Sequence, residues 1–157
     1  MIPARGGMEQ SGEHRIEAPA TAVWAALNDP DVLARCIAGC QSMEKLSDTE
    51  FRAKAKARVG PVSALFDAEL TLSDLDPPHA YTLSGQVKGG AAGFGRGSAR
   101  VELVEDGGAT LLRYQVRGSV GGKLAQIGSR LVEGSARKLA DDFFAAFAEI
   151  AAEPQLR

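Results

Sequence analysis

The chain has 157 residues, with 18 Lys or Arg against 20 Asp or Glu, which gives a formal net charge of −2. This length fits one domain with a sizeable core. The near-balanced charge excludes a global attraction to nucleic acid or anionic lipid, so any affinity for a membrane must be local. The longest apolar run near the C-terminal end, residues 143–148, is too short to cross a bilayer. No secretory signal opens the chain, so we expect a cytoplasmic protein.

The two cysteines, Cys36 and Cys40, are four positions apart and have no His nearby. A zinc site would need two further ligands. We therefore expect no metal site and no redox role for these thiols, and no disulfide, since cytosolic thiols are usually reduced.

Residues 8–17 read as a first strand, and Pro19 then begins a short helix that carries Trp24 on its apolar side. Asp29 suits a helix N-cap because its side-chain oxygen can accept a free backbone N–H, and Pro30 suits the first helical position. These residues predict a second short helix that ends near Cys36.

From Phe51 to Val59 apolar residues alternate with a basic row, Arg52, Lys54, Lys56 and Arg58, which predicts a half-buried strand. After the turn at Gly60-Pro61 the alternation continues over residues 62–72, with acids on the outward face. Cross-strand charge pairs between these rows would make the basic row an ordinary solvated sheet face. The alternative is a surface for phosphates or lipid headgroups.

Three further strands are predicted over residues 81–88, 98–105 and 110–117, and Asp106-Gly107-Gly108 is a strong hairpin signal between the last two. The glycine-rich residues 88–97 lie between two strands and lack the following helix that a dinucleotide or phosphate loop requires. We expect a flexible or bulged hairpin, with Phe94 as an exposed apolar tip that contacts a membrane or a partner.

Residues 121–152 follow a helical apolar period and predict one long helix. Gly121, Gly122, Gly128 and Gly134 lie within it, and each glycine in a helix interior costs about 1 kcal/mol relative to Ala. Either these glycines let helix and sheet backbones touch, or the helix closes over a ligand pocket.

One fold class accommodates this order: an α+β helix-grip fold, in which a curved antiparallel sheet of about seven strands wraps around the long C-terminal helix. Two short helices follow the first strand. We expect a single domain over residues 8–152, with flexible ends at 1–7 and 153–157, and Met8 is as suitable a start as Met1.

The inward faces of the third and fourth strands are unusually small, with Ala at positions 53, 55, 57, 64 and 68. Since protein interiors pack densely, either the sheet closes tightly on the helix or a cavity for an apolar guest remains. The predicted cavity is lined by Trp24, Phe51, Ala55, Phe66, Tyr81, Leu83, Leu103, Leu112, Tyr114, Leu124, Ile127, Gly128 and Leu131. Most of these are also ordinary core candidates.

The sequence contains few residues in arrangements typical of a catalytic site. His14, Tyr81, Tyr114 or Asp142 could polarise a bound carbonyl, but the spacing gives no Ser-His-acid arrangement and no carboxylate pair on an evidently buried face. We expect no catalytic residues and no cofactor.

Several motifs resemble one family. They are residues 23–30 (VWAALNDP), 36–40 (CIAGC), 59–61 (VGP), 76–78 with Tyr81, 93–94 and 121–131 (GGKLAQIGSRL). The chain resembles the carbon monoxide dehydrogenase G-subunit family, within the START-like and birch-pollen-allergen-like (SRPBCC) helix-grip proteins. The resemblance extends from Met8 to Phe147, with Ala38 standing where the family usually has Pro.

The resemblance implies a non-catalytic accessory protein that helps to place a molybdenum hydroxylase of the carbon monoxide dehydrogenase type at the cytoplasmic membrane. Its cavity would bind an apolar ligand, a quinone or a lipid. Many relatives continue into an apolar anchor, whereas this sequence ends at Arg157, so we expect a soluble carrier or a weak peripheral contact. The alternatives are a recruitment module that binds the hydroxylase through its surface over a dry core, or an enzyme of the cyclase or hydrolase type.

Overall fold

The computed structural model describes residues 7–153, so residues 1–6 and 154–157 of the predicted flexible ends lie outside the described part. Gly7 is the first residue of a strand. The elements in chain order are β1 (Gly7–Ile16), α1 (Ala20–Leu27), α2 (Pro30–Cys36), β2 (Cys40–Lys45), β3 (Glu50–Val59), β4 (Val62–Asp76), β5 (Ala80–Lys88), a short 3-10 turn (Gly90–Ala92), β6 (Phe94–Asp106), β7 (Ala109–Gly121), α3 (Lys123–Gln126) and α4 (Ser129–Ala152).

The seven strands form one antiparallel sheet in the order β1-β7-β6-β5-β4-β3-β2. Strands β2 to β7 follow one another as a meander, and β1 pairs with β7, with Ile16 opposite Thr110. Helix α4 lies on the inner face of the sheet, where it contacts β1 at one edge and β3 near the other edge, and it also packs against α2. The predicted helix-grip arrangement is confirmed.

The two short helices begin as the sequence predicts. Pro30 is the first residue of α2, and the Asp29 side chain accepts a hydrogen bond from the Asp31 N–H at 2.9 Å. This cap satisfies one of the backbone donors that a helix start leaves free. Helix α2 ends at Cys36, as expected.

The β3–β4 hairpin shows the predicted alternation, with inward residues buried or half-buried and outward residues exposed. Lys54 lies opposite Asp67, and their charged atoms are 3.8 Å apart. Arg52 lies opposite Glu69, but Glu69 instead accepts a hydrogen bond from Gln86 at 2.8 Å. The charge pairing across this hairpin is therefore only partial.

The prediction of one continuous helix from residue 121 is wrong. Gly122 and Gly128 have φ of +67° and +99°, values that L residues rarely adopt and a right-handed helix excludes. Gly121 is the last residue of β7, and Gly128 separates α3 from α4. Gly134 is thus the one glycine among these four that is inside a helix, so the expected helix cost is largely absent.

The glycine-rich hairpin is shorter than predicted, because β6 begins at Phe94 rather than Ser98. The connection comprises residues 89–93, and Gly93 has φ of +107°. A Cβ at Gly93 would collide with the Gly121 carbonyl oxygen. Glycine is required here by a close approach of the β5–β6 connection to the end of β7.

Candidate functional site

Three glycines lie in register across the middle of the sheet. Gly85 of β5 is opposite Gly97 of β6, and Gly97 is opposite Gly118 of β7. We call these residues the glycine row. It belongs to the inward face, because Leu70 and Met8 continue it on β4 and β1.

The space above the glycine row is filled at Gly85, where a Cβ would lie 2.6 Å from Leu70 Cδ2, and is poorly filled at Gly118. A Cβ built at Gly118 would have no side-chain atom of another strand or helix within 4 Å, its neighbours being the Arg96 carbonyl oxygen and the Gly97 Cα. At Gly97 a Cβ would lie 2.5 Å from the Arg117 carbonyl oxygen, so glycine also permits a tight approach of β6 to β7. Glycines inside strands commonly mark such bends or the close approach of another group.

Small residues adjoin the glycine row on the same face. Ala53 is buried, whereas Ala55, Ala68 and Ala99 are half-buried although their side chains point inward. We refer to Ala55, Ala68, Ala99 and the glycine row as the small-residue band. The alanine-rich face predicted from the sequence is present, and it extends further across the sheet than the sequence indicates.

Two separate apolar clusters flank the small-residue band. The large cluster has the buried residues Ile16, Ala18, Ala20, Val23, Leu27, Cys36, Phe51, Leu72, Tyr81, Val101, Leu103, Leu112, Tyr114, Phe147 and Ala151. The small cluster has the buried residues Val62, Phe66, Ala92 and Leu124. Neither cluster includes an alanine of the band. Most of the side chains that cover the inner face therefore belong to its two ends, and Val132 of α4 is a buried residue outside both clusters.

The thirteen predicted cavity residues are distributed over both clusters. Trp24, Phe51, Tyr81, Leu83, Leu103, Leu112 and Tyr114 belong to the large cluster or pack against it. Phe66, Leu124 and Ile127 belong to the small one or pack against it. Ala55 lies in the band between them. The structure thus places eleven of these positions on one inner surface, but not around one open chamber.

The last two predicted cavity residues lie elsewhere. Gly128 is exposed at the α3–α4 junction, beside a crevice of about 10 Å³, and a Cβ at this position would have no atom within 4 Å. Leu131, in the first turn of α4, is 50% exposed. A helical period that continues through Gly128 predicts both residues in the cavity, whereas the positive φ of this glycine turns the chain there.

Two hydrogen bonds hold the N-terminal half of α4 against the sheet. The Gly60 N–H in the β3–β4 turn donates to Ser135 Oγ at 3.2 Å. Gln10 of β1 donates from Nε2 to the Glu133 carbonyl oxygen at 2.8 Å. Helix α4 is therefore held above the band by one bond to the β3–β4 turn and one bond to β1. No local sequence signal indicates either bond, since each joins residues distant in the chain.

Aromatic rings cover the β1 side of the inner face. Phe144 of α4 stacks on His14 with ring centroids 4.5 Å apart, and on Tyr114 at 5.2 Å. The His14 Nε2 atom is buried and has no hydrogen-bond partner within residues 7–153. Such unpaired polar atoms are uncommon in protein interiors. His79, the other histidine, is exposed.

Burial raises the pKa of both tyrosine hydroxyls above their usual value. For Tyr81, which meets Trp24 edge-on at 5.4 Å, desolvation is the cause. For Tyr114, desolvation is the largest cause, Asp141 raises the pKa further and Arg137 lowers it. Both phenols are therefore neutral at physiological pH and available as hydrogen-bond donors. Asp142 is instead exposed and bonded to Lys138 at 2.9 Å.

The outer face of the sheet carries a groove of about 1250 Å³ along the back of the glycine row. Its walls are polar and charged, with Glu50, Glu69, Arg96 and Arg117 among them. A second outer groove, of about 510 Å³, lies over β1, β6 and β7 and is lined by Glu13, Arg100 and Arg113. Both outer grooves are therefore lined by charges of both signs.

Phe94 is 46% exposed, but it is not the tip of a loop. It begins β6 opposite Lys88 and Gly121, and its ring lies over Gly121, where a Cβ would collide with it. Phe94 therefore presents an apolar ring flat on the outer face. Its predicted contact with a membrane or partner stays a prediction.

Residues 7–153 contain no group of three or more His, Cys, Asp or Glu side chains that could hold a metal ion. Cys36 is buried, and burial raises the pKa of its thiol. Cys40 directs its Sγ to the Ser42 carbonyl oxygen at 3.4 Å. Over the same residues, no helix has the length and hydropathy needed to cross a membrane.

Solved structures share this fold. A conserved protein from Geobacillus kaustophilus is 31% identical, with a TM-score of 0.85 over 92% of this chain and 95% of that one. A START superfamily protein from Mycobacterium smegmatis is 13% identical, with a TM-score of 0.69 over 91% and 96% of the two chains. The ZhuI aromatase/cyclase from Streptomyces sp. R1128 is also 13% identical, with a TM-score of 0.69 over 92% and 93%.

At 13% identity the last two likenesses establish the START-like fold and nothing about activity. No curated protein matches the chain. A family model, described as the G subunit of carbon monoxide dehydrogenase (CoxG), matches residues 12–152, which include every element from the middle of β1 to the end of α4. The chain belongs to the CoxG family, the carbon monoxide dehydrogenase G-subunit family.

Proposed function

We propose that this protein is a non-catalytic accessory protein that binds an apolar ligand, a quinone or a lipid, between its sheet and α4. The observation that carries this proposal is the small-residue band, which lies between two apolar clusters and belongs to neither. Apolar surface on both sides and little side-chain volume in the middle are what a flat or chain-like apolar molecule requires.

The polar groups near the band suit such a ligand. Tyr114, His14 and Gln10 lie on the inner face of β7 and β1, and the buried His14 Nε2 lacks a partner among the described residues. A few hydrogen-bonding groups beside an apolar site are typical of ligand pockets. A quinone carbonyl or a lipid ester would present an acceptor to the neutral Tyr114 hydroxyl.

The description of the family supports a proposal about the partner. We propose that the protein assists a molybdenum hydroxylase of the carbon monoxide dehydrogenase type, either in its association with the membrane or in the supply of its electron acceptor. The protein would then carry the ligand without changing it. The His14 ring is stacked under Phe144, which favours a structural or ligand-contacting role over proton transfer.

The test is to fill the band. Ala99 faces inward beside the glycine row, and its neighbour Ser98 faces the outer groove on the same strand. Protein isolated from its own host would be examined by native mass spectrometry as wild type, Ala99→Trp and the matched control Ser98→Trp. We expect a stoichiometric apolar molecule with the wild type and with Ser98→Trp, and its loss from Ala99→Trp.

Thermal unfolding of the same variants separates loss of ligand from loss of fold. Overpacking a filled core typically costs about 1–3 kcal/mol, whereas a Trp that enters empty space costs little. Equal ligand content in both Trp variants would contradict the proposal. An empty wild-type protein that stays empty after incubation with membrane extract would favour the recruitment module, with the outer groove as the surface to test.

A further inference from the structure

Charge is strongly segregated along the length of the sheet, although the net charge is only −2. At one end lie the β3–β4 turn, the β5–β6 connection and the α3 region. The corresponding segments 56–65, 87–96 and 119–131 contain six Lys or Arg and no Asp or Glu. The six residues, which we call the cationic end, are Lys56, Arg58, Lys88, Arg96, Lys123 and Arg130.

The opposite end has the reverse composition. It is formed by the β1–α1 link, the β2–β3 loop and the β4–β5 and β6–β7 turns. Segments 13–18, 44–50, 72–80 and 102–109 contain ten Asp or Glu and two Lys or Arg. The antiparallel meander brings these scattered segments together, so the segregation is a property of the fold.

The cations at the cationic end make no ion pairs within the described part of the chain, because Asp67, the acid that lies opposite Lys88, pairs with Lys54 instead at 3.8 Å. All six are exposed, and none forms an ion pair with a residue in 7–153. Arg58 donates to the Gly60 carbonyl oxygen at 3.0 Å, which leaves its charge uncompensated. At the other end, Arg15 pairs with Glu17 and Asp106.

Large apolar side chains are exposed among these cations. Leu65, Phe94 and Leu131 are 44%, 46% and 50% exposed. Leu65 lies opposite Lys56, and Phe94 lies opposite Lys88. Unpaired cations beside exposed apolar rings and chains are the combination that binds the interface of an anionic membrane, where headgroups take the charge and the acyl boundary takes the apolar atoms.

We infer that the cationic end docks the protein on a membrane of anionic lipids. This inference rests on the proposed function, since it names the face through which a ligand carrier would meet its source. Charge complementarity selects this occupant, because headgroup phosphates present a dense negative surface to six exposed cations that make no ion pairs within residues 7–153. The acidic end would be repelled from the same surface, so the protein would bind in one orientation.

The experiment is co-sedimentation of the purified full chain with vesicles of phosphatidylcholine alone or with about 30% phosphatidylglycerol, a composition that gives a strongly negative surface. The variant Lys56→Gln/Lys88→Gln/Arg130→Gln removes three charges from the cationic end. The matched control Arg35→Gln/Arg100→Gln/Arg137→Gln removes three exposed charges from other parts of the surface.

We expect wild type and control to bind the anionic vesicles, and the cationic-end variant to bind at least tenfold more weakly. Binding should be lost in about 0.5 M NaCl, where screening shortens the Debye length to a few ångströms. Equal weakening of both triple variants would overturn the inference, because net charge alone would then explain the effect. Salt-resistant binding would also overturn it.

A wild-type protein that ignores anionic vesicles would overturn the inference as well, and would leave an acidic protein surface as the occupant to examine. This readout needs no bound ligand, whereas the Ala99→Trp experiment needs no vesicles. A protein that holds its apolar ligand but fails to bind vesicles would contradict the docking inference alone. Vesicle binding by an empty protein would contradict the proposed function alone.

Discussion

The two ends of the molecule differ in packing as well as in charge. The acidic end is close to the large cluster, which gathers buried side chains from α1, α2, six strands and the C-terminal half of α4. The cationic end is close to the small cluster, whose buried residues come from β4, the β5–β6 connection and α3. The contrast indicates that stability is concentrated at one end, which leaves the other available for binding.

Helix α4 extends from the small cluster to the large cluster. Phe147, near its C-terminal end, is fully buried, whereas Leu131 and Leu139 in its N-terminal half are 50% and 42% exposed. Buried apolar area is the main favourable contribution to folding. The C-terminal half of α4 therefore contributes most to stability, whereas the N-terminal half, which lies above the small-residue band, has Val132 as its one buried residue.

The largest expected effect is the loss of stability on truncating the large cluster. Replacing a fully buried Phe by Ala typically costs about 3–5 kcal/mol, and we expect Phe147→Ala to lie in this range. Leu124 is also buried, at 3% exposure, but its cluster is small and can collapse around the change. We expect Leu124→Ala to lie near 2 kcal/mol, about the low end of the range for Leu→Ala. Urea unfolding of both variants measures the difference.

Equal losses of unfolding free energy for Phe147→Ala and Leu124→Ala would contradict this difference between the two ends, because they would show that the small cluster is packed as firmly as the large one. Hydrogen exchange provides an independent check. Amides of α3 should exchange through local opening at a lower free energy than amides around Phe147, because regions with few buried contacts open first.

Local signals in the sequence predict much of this fold. The alternation over residues 51–59 identifies β3, and Asp29-Pro30 locates the start of α2. The break at Gly128 escapes prediction because Leu124, Ile127 and Leu131 keep a helical spacing through it. Spacing reports where side chains would lie if the backbone were regular, and it carries no information on a positive φ.

Features that depend on strand register cannot be predicted in this way. Each glycine of the glycine row is isolated in its own strand, and only the pairing of β5, β6 and β7 aligns them. The same holds for the cationic end. The net charge of the chain does not reveal it, because the charged residues are brought together only when the meander folds. The sequence identifies most of the candidate cavity residues correctly as inward-facing, but their division into two clusters follows from contacts across the sheet.

The next effect in size concerns Tyr81 in the large cluster. Because burial raises its pKa in the folded state, while the unfolded phenol ionises near pH 10, the stability due to the neutral phenol is complete below about pH 10 and declines as the pH rises further. One pH unit costs up to about 1.4 kcal/mol. We expect the unfolding free energy of Tyr81→Phe to decline less steeply than that of wild type between about pH 10 and 11.

If the unfolding free energies of wild type and Tyr81→Phe declined equally with pH, water would have to reach the Tyr81 hydroxyl. The large cluster would then be less tightly packed than its buried residues indicate. Lysines also titrate in this interval, but they are the same in both proteins. The difference between the two profiles therefore reports Tyr81 alone.

The smallest effect compares one exposed cation from each end. Arg15 donates to Glu17 at 2.7 Å and pairs with Asp106, and these partners, Asp106 foremost, raise its pKa. Lys88 has no ion pair within the described residues, because Asp67, which lies opposite it on β4, pairs with Lys54 at 3.8 Å. We expect Arg15→Gln to lower the thermal midpoint slightly, and Lys88→Gln to leave it nearly unchanged, because the second substitution removes no ion pair.

Both shifts should shrink in about 0.5 M NaCl, since exposed charges are screened beyond a few ångströms there. If Lys88→Gln destabilised the protein as much as Arg15→Gln, Lys88 would have to make a stabilising contact, and the cationic end would serve the fold. An unchanged thermal midpoint for Lys88→Gln would instead mean that Lys88 does not stabilise the fold. A surface that binds an anionic partner is expected to carry such charges.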